Sequence, residues 1–157
     1  MAKSTEAKPR YVRQVGGDHC GAAALAMCCR VSYAKALAAF GRIGQPLVGD
    51  GATHGDVIAA AATLGHTLTP VHRTRKVMRL MAEQSPRAVL SVMWKPGTKS
   101  YRASPSGHYV YVEHGLIYDP SAHVHWKTHP EQGRGFREYF RRRPGWVHTV
   151  LEWEGSS

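Results

Sequence analysis

The first half of the chain reads as helices separated by turn residues. Small and apolar residues with high helix propensity follow turn signals and predict helices over residues 20–30 and 32–40, the second capped by Gly41. A third helix is predicted at about 53–64, and a fourth over 75–83. The many alanines in these segments indicate close helix packing.

The second half changes period and reads as strands. Alternating or continuous apolar runs bounded by turn residues predict strands over 66–71, 88–94, 108–113, 116–118 and 146–153, with an edge strand at 124–126. His114-Gly115 is typical of a tight hairpin, and the Pro-, Gly- and Ser-rich stretch 94–107 predicts a loop. Helices followed by strands favour an α+β fold in which N-terminal helices pack on a C-terminal antiparallel sheet.

Length and composition set the class of protein. A chain of 157 residues that is 43% hydrophobic and 20% charged fits one globular domain, 1–157, with flexible ends expected at about 1–10 and 155–157. Its three cysteines are odd in number and two are adjacent, so a reducing compartment is expected. The sequence carries no signal-peptide pattern and no long apolar run, which predicts a cytoplasmic protein without a membrane span. Nothing in it calls for a cofactor.

The chain is basic, with a net charge of +10. The densest basic stretch, 134–143, interleaves aromatic residues with arginines and could contact a polyanion such as nucleic acid. Its arginines are Arg134, Arg137, Arg141, Arg142 and Arg143. The commoner alternative is a solvated connection whose aromatics turn into the core.

Cys20 is the candidate nucleophile. It stands at the start of a predicted helix, where the positive end of the helix dipole favours a thiolate. Gly16 and Gly17 precede it, and such glycines permit close backbone approach. Cys28 and Cys29 lie two turns further along the same helix, and we expect both to be buried packing residues.

Three other residues complete a thiol-protease set in workable order. Gln14, six residues before Cys20, could donate its side-chain amide to a developing oxyanion. His108 opens an alternating strand after Gly107, where its ring could meet the helix start and act as base and acid. Asp119 ends the paired strand, so it could accept a hydrogen bond from that ring and fix its tautomer.

These motifs resemble the papain-like cysteine peptidases of the bacteriocin-processing type, which cleave leader peptides after double glycine. The resemblance rests on 14–27 (QVGGDHCGAAALAM), 107–112 (GHYVYV) and 117–121 (IYDPS), supported by 51–65 and 86–92. It implies a papain-like fold, a peptide substrate, Cys20 as nucleophile, His108 as base, Asp119 as its orienter and Gln14 in the oxyanion hole. One departure is His19, which stands between Asp18 and the cysteine where that family usually has aspartate.

Other functions stay open from the sequence. The same order of residues would suit an amide hydrolase acting on peptidoglycan or an isopeptide bond, and a basic protein of this fold could bind nucleic acid without turnover. The histidines His123, His125 and His129 have a spacing that could seat zinc, but no cysteine or carboxylate completes the set. We therefore expect no metal site.

Overall fold

The computed structural model describes residues 10–16, 19–45, 51–71, 80–81 and 86–157. The helices are α1 (Cys20–Cys29), α2 (Tyr33–Arg42), α3 (His54–Thr63), α4 (Lys99–Ala103), α5 (Ala122–His125) and α6 (Phe136–Arg142). The strands are β1 (His66–Val71), β2 (Ala88–Trp94), β3 (His108–Glu113), β4 (Leu116–Tyr118), β5 (Arg134–Gly135) and β6 (Gly145–Ser156). Helices precede most of the strands, which confirms the α+β class predicted from the sequence.

The strands form one antiparallel sheet in the order β1-β6-β2-β3-β4-β5. Its centre is the pairing of β2 with both β6 and β3. Strands β3 and β4 are joined by the predicted hairpin turn, whose two residues, His114 and Gly115, have φ of 52° and 75°. Two positive φ angles give the turn a twist that matches the flanking strands.

The first three helices cover one face of the sheet. Helix α1 lies at the centre of this layer, and all of its residues after Cys20 are buried. The alanines predicted to allow close packing do so here, since Ala22, Ala24 and Ala26 share a core with the sheet residues Val89 and Leu151. Cys28 and Cys29 are buried, as expected of packing residues.

A second apolar core lies on the other face of the sheet. There Leu90, Val110 and Val150 from the three central strands pack with Phe136 and Tyr139 of helix α6. The aromatics of the basic stretch therefore turn into the protein, which is the commoner of the two interpretations of that stretch. Because both sheet faces are covered, the strands read as continuous apolar runs.

Most predicted elements are confirmed, and the predictions for the end of α2, for 94–107 and for 124–126 are wrong. Helix α2 runs through Gly41 to Arg42, so that glycine does not cap it. The predicted loop 94–107 contains helix α4, which begins because the Thr98 side chain accepts a hydrogen bond from Tyr101 N–H at the helix start. The predicted edge strand at 124–126 is instead occupied mainly by helix α5, and strand β5 forms the sheet edge.

The remaining predictions concern the last strand, the fourth helix and the membrane. Strand β6 is longer than the predicted 146–153, since it pairs with β1 out to Ser156. Most of the helix predicted at 75–83 lies outside the described residues. No single helix in the described ranges has the length and hydrophobicity to cross a bilayer; α1 and α2 pass that test only as a pair bent by 114°.

Candidate active site

Cys20 is the first residue of α1, the helix at the centre of the molecule. Its first turn, Cys-Gly-Ala-Ala, carries no acid that would oppose a thiolate, and the free N–H groups of a helix start favour negative charge. The residue before it, His19, turns its ring towards helix α2, with Nδ1 2.8 Å from the hydroxyl of Tyr33. The ring of His19 therefore lies against Tyr33 of α2.

His108 is the first residue of β3 and pairs with Val92 of β2. It is 7% exposed. The residue before it, Gly107, has φ of +98°, and a Cβ there would lie 2.6 Å from the carbonyl oxygen of Val92. Only glycine lets the chain enter β3 at this angle, and the entry angle sets where the imidazole lies.

Asp119 follows directly after β4 and is 3% exposed. The register that pairs Tyr111 with Tyr118 brings it beside the start of β3. Nε2 of His108 lies 2.7 Å from Oδ1 of Asp119, and the backbone N–H of Ser121 donates to the same oxygen at 2.8 Å. The pairing of β3 with β4 therefore places the buried carboxylate of Asp119 next to the imidazole of His108.

Cys20 and His108 both line one cleft, and each shifts the pKa of the other. Burial raises the pKa of Cys20, but the charge and hydrogen bond of His108 and the backbone N–H of Tyr109 outweigh it and lower that pKa. Burial lowers the pKa of His108, yet Asp119 and Cys20 together raise it to about 9. Both shifts have the direction that a thiolate–imidazolium pair requires.

A cleft of about 730 Å³ opens beside this pair. Its lining includes Cys20, His108, the N-terminus of α3 at Thr53 and His54, and His148 of β6. The end of α4 and the segment that joins it to β3, residues 103–107, line the same cleft. Cys20 and His108 therefore border the same open cleft, as the residues of a ligand site do.

Gln14 lies in the segment that leads to α1. Its backbone N–H donates to the carbonyl of Pro120 at 3.1 Å, which ties this segment to the loop after Asp119. Its side-chain amide donates to the carbonyl of Gly16 at 3.0 Å. The predicted oxyanion donor is thus close in the chain to Cys20, with its amide engaged by the turn before the helix.

Three further residues bind Asp119, and sequence reasoning did not assign them to the site. Oδ2 accepts hydrogen bonds from the hydroxyl of Tyr139 at 2.7 Å and from the guanidinium of Arg143 at 2.5 Å. The hydroxyl of Ser121 donates to Oδ1 at 2.9 Å. Burial opposes ionisation of Asp119, but His108, Arg143 and Tyr139 hold its pKa well below the ordinary value.

Arg143 corrects the predicted polyanion contact. It is 5% exposed, so it faces the interior rather than solvent. Arg134 is half-buried, and it donates to the carbonyls of Thr128 and His129. Arg137, Arg141 and Arg142 are exposed on α6. Of the five arginines in the stretch 134–143, these three are the exposed ones and so the ones available to a polyanion.

Among the described residues, no group of three or more His, Cys, Asp or Glu is arranged to hold a metal ion. His123 and His125 lie on α5, whereas His129 lies beyond it, with Nδ1 3.3 Å from a carboxylate oxygen of Glu131. The pKa of His125 is lowered to about 4 by burial and by the charge of Arg143. These histidines do not form a shared site.

The fold matches solved peptidase domains. The chain aligns with a double-glycine motif protease from an AMS/PCAT transporter, crystallised in complex with the leader peptide. The TM-score is 0.63 and the identity 18%, over 96% of this chain and 94% of that one. It aligns with the peptidase domain of Streptococcus ComA, a bifunctional ABC transporter of quorum sensing, at TM-score 0.63 and 17% identity over 95% and 100%.

A third match is the peptidase domain of Streptococcus mutans ComA, at TM-score 0.57 and 17% identity over 93% of this chain and 99% of that one. No protein-family model matches the sequence, and no curated protein matches it. The resemblance to double-glycine peptidases is thus confirmed in three dimensions. The chain has the α+β fold of these papain-like peptidase domains.

Proposed function

We propose that this protein is a cysteine peptidase in which Cys20 attacks the carbonyl carbon of a peptide bond. The observation that carries the proposal is that Cys20 and His108 line the same open cleft, with Nε2 of His108 2.7 Å from Oδ1 of the buried Asp119. An ordinary packing cysteine has no such imidazole partner, and its pKa rises on burial, as that of Cys28 does.

In the proposed reaction the Cys20 thiolate adds to the substrate carbonyl and forms a tetrahedral intermediate. Collapse of the intermediate breaks the C–N bond, and the proton of the His108 imidazolium passes to the departing amine. The acyl group then remains on sulfur as a thioester. A water molecule gives a proton to His108 and attacks the thioester, which releases the carboxylic acid and regenerates thiolate and imidazolium.

The oxyanion would be held by donors at the start of α1. The backbone N–H of Cys20 is one, and the side-chain amide of Gln14 is the other in our proposal. That amide now donates to the carbonyl of Gly16, so it must turn from this acceptor when substrate enters. A donor that binds the oxyanion more strongly than the substrate carbonyl adds to the rate rather than to ground-state binding.

A peptide with a double-glycine leader is the first substrate class to test. This choice rests on the neighbour that was crystallised with its leader peptide. The experiment incubates the purified chain with such peptides and with unrelated peptides, and follows products by mass spectrometry. Cys20→Ala should abolish cleavage, while Cys29→Ala, which alters a buried cysteine on the same helix, should leave it intact. Equal cleavage by Cys20→Ala and the parent would end the proposal.

The alternatives differ in what they consume. A wall amide hydrolase would clear peptidoglycan in a gel and leave linear peptides uncut. A polyanion-binding role is a separate proposal that depends on the exposed Arg137, Arg141 and Arg142. It expects retention on a nucleic-acid column that falls steeply with salt and weakens when these three are replaced by glutamine. Retention unchanged by that replacement would exclude this surface.

A further inference from the structure

Asp119 is shared between two cationic side chains. Its Oδ1 faces His108 and its Oδ2 faces Arg143, so one buried carboxylate lies between an imidazole and a guanidinium. Neither side is exposed to solvent, because His108, Asp119 and Arg143 are all buried. Charges in such a place interact much more strongly than on a surface.

The position of Arg143 is fixed from several sides. Its Nε donates to the hydroxyl of Ser100 on α4 at 3.2 Å, and its Nη1 donates to the hydroxyl of Ser121 at 3.1 Å. The guanidinium lies 4.1 Å from the ring centroid of Trp94, which is the last residue of β2. The ring of Trp94 in turn lies 5.9 Å from that of His108. This many partners indicates a set geometry rather than a chance contact.

The carboxylate keeps its position through other donors. Ser121 N–H holds Oδ1 and the Tyr139 hydroxyl holds Oδ2. Arg143 is therefore not required to aim Asp119 at His108. What it adds is a positive charge on the far oxygen, and that charge competes with imidazolium for the single negative charge of Asp119.

We propose that Arg143 acts through Asp119: it divides the charge of that carboxylate between two cations, so that His108 releases its proton more readily than it would beside Asp119 alone. This inference rests on the proposed function, because it assigns the reaction step that Arg143 assists: transfer of the His108 proton to the leaving amine. A proton held too tightly by the His–Asp pair would slow that transfer.

The other titratable or charged groups near the His108–Asp119 pair do not obscure the effect of Arg143 on the His108 proton. Those facing it from the surrounding elements are Cys20, Tyr11, Tyr139, His123 and His125. Burial and the charge of Asp119 raise the pKa of Tyr11 and of Tyr139, so both stay neutral. The pKa of His125 is about 4 and that of His123 is lowered, so both are neutral above pH 6.5. The alkaline limb of the activity profile then reports His108.

The test measures kcat/KM against pH for the parent, Arg143→Gln and Arg143→Lys. Arg141→Gln, on the exposed face of α6, is the control. Arg143→Gln keeps hydrogen bonding but removes the charge, so the alkaline limb should move up by about one pH unit. Arg143→Lys keeps the charge, and its limb should stay with the parent. A purely structural role would lower the melting temperature of both variants without moving the limb of either.

A second readout needs no substrate. Alkylation of Cys20 should rise in two steps with pH, first when the thiolate–imidazolium pair forms and again when imidazolium loses its proton, because the free thiolate is the stronger nucleophile. Arg143→Gln should move the second step upward, as it moves the alkaline limb. If the parent shows no step below the ordinary thiol range, the proposed function fails; if it does and Arg143→Gln shifts nothing, only this inference fails.

Folding of the variants is checked by thermal melting. Should Arg143→Gln not fold, the decision passes to Ser100→Ala, a small change that removes the acceptor of Arg143 Nε. A loosened Arg143 should move the second alkylation step in the same direction by a smaller amount. If folded Ser100→Ala shows its second alkylation step at the same pH as the parent, or at a lower pH, the inference is overturned.

Discussion

Gly107 lies directly before His108, and its replacement by alanine tests whether the entry into β3 places the imidazole. Its φ is +98°, and a Cβ would lie 2.6 Å from the carbonyl oxygen of Val92 and 2.8 Å from the sulfur of Met93. The positive φ alone costs a non-glycine residue about 1–2 kcal/mol. The backbone oxygen cannot move without separating β2 from β3, so we expect a total loss of about 2–4 kcal/mol.

Gly97 provides a matched control. Its φ is +87°, but no atom lies within 4 Å of the Cβ that alanine would add. Gly97→Ala should therefore cost only the backbone term, about 1–2 kcal/mol. The difference between the two variants isolates the contact with β2.

The assay is urea unfolding of the parent and both variants, together with the rate of Cys20 alkylation near pH 7. Gly107→Ala should be less stable than Gly97→Ala, and the displaced His108 should leave Cys20 less reactive in the first variant only. Equal losses of stability would refute the steric argument. Parent-like reactivity of Cys20 in folded Gly107→Ala would refute the claim that this entry sets the imidazole.

Two further predictions concern stability. Asp119→Asn leaves a buried arginine unpaired and should cost about 3–5 kcal/mol at neutral pH. The folded pKa of Asp119 lies below its ordinary 3.8, so ionised Asp119 stabilises the fold above pH 3.8. That stability is lost as the pH falls through the folded pKa. The unfolding free energies of the parent and Asp119→Asn, measured in urea, should therefore converge in acid, and a constant difference between them would count against this. Thr53→Ala removes the capping box of α3 and should cost about 1 kcal/mol, so an unchanged melting temperature would contradict it.

The parts of the site that sequence could indicate are those with a local signal. Cys20 follows turn residues and opens an alanine-rich helix, so both its position and its dipole environment are written in adjacent residues. His108 and Asp119 flank a short hairpin, and a hairpin fixes which residues face each other. The sequence therefore predicted that His108 and Asp119 would lie together. In the structure Nε2 of His108 is 2.7 Å from Oδ1 of Asp119.

Arg143 gave no such signal. It contacts Asp119 across 24 residues of chain, and it ends a run of three arginines that is typical of a solvated surface. Its burial depends on α6 packing Phe136 and Tyr139 against the far side of the sheet, a tertiary contact that no local period encodes. The edge strand was misplaced for a related reason, since the short apolar alternation around Val124 does not separate a strand from a single helical turn.

The central claim is that His108 activates Cys20. The most direct test is the alkylation rate of Cys20 from about pH 5 to about pH 10, measured in the parent and in His108→Ala. Mass spectrometry assigns the label to each cysteine. We predict that the parent Cys20 is labelled well below pH 9.0, the ordinary thiol value, and that in His108→Ala its labelling shifts towards that value or above. Identical profiles for the two proteins would contradict the account.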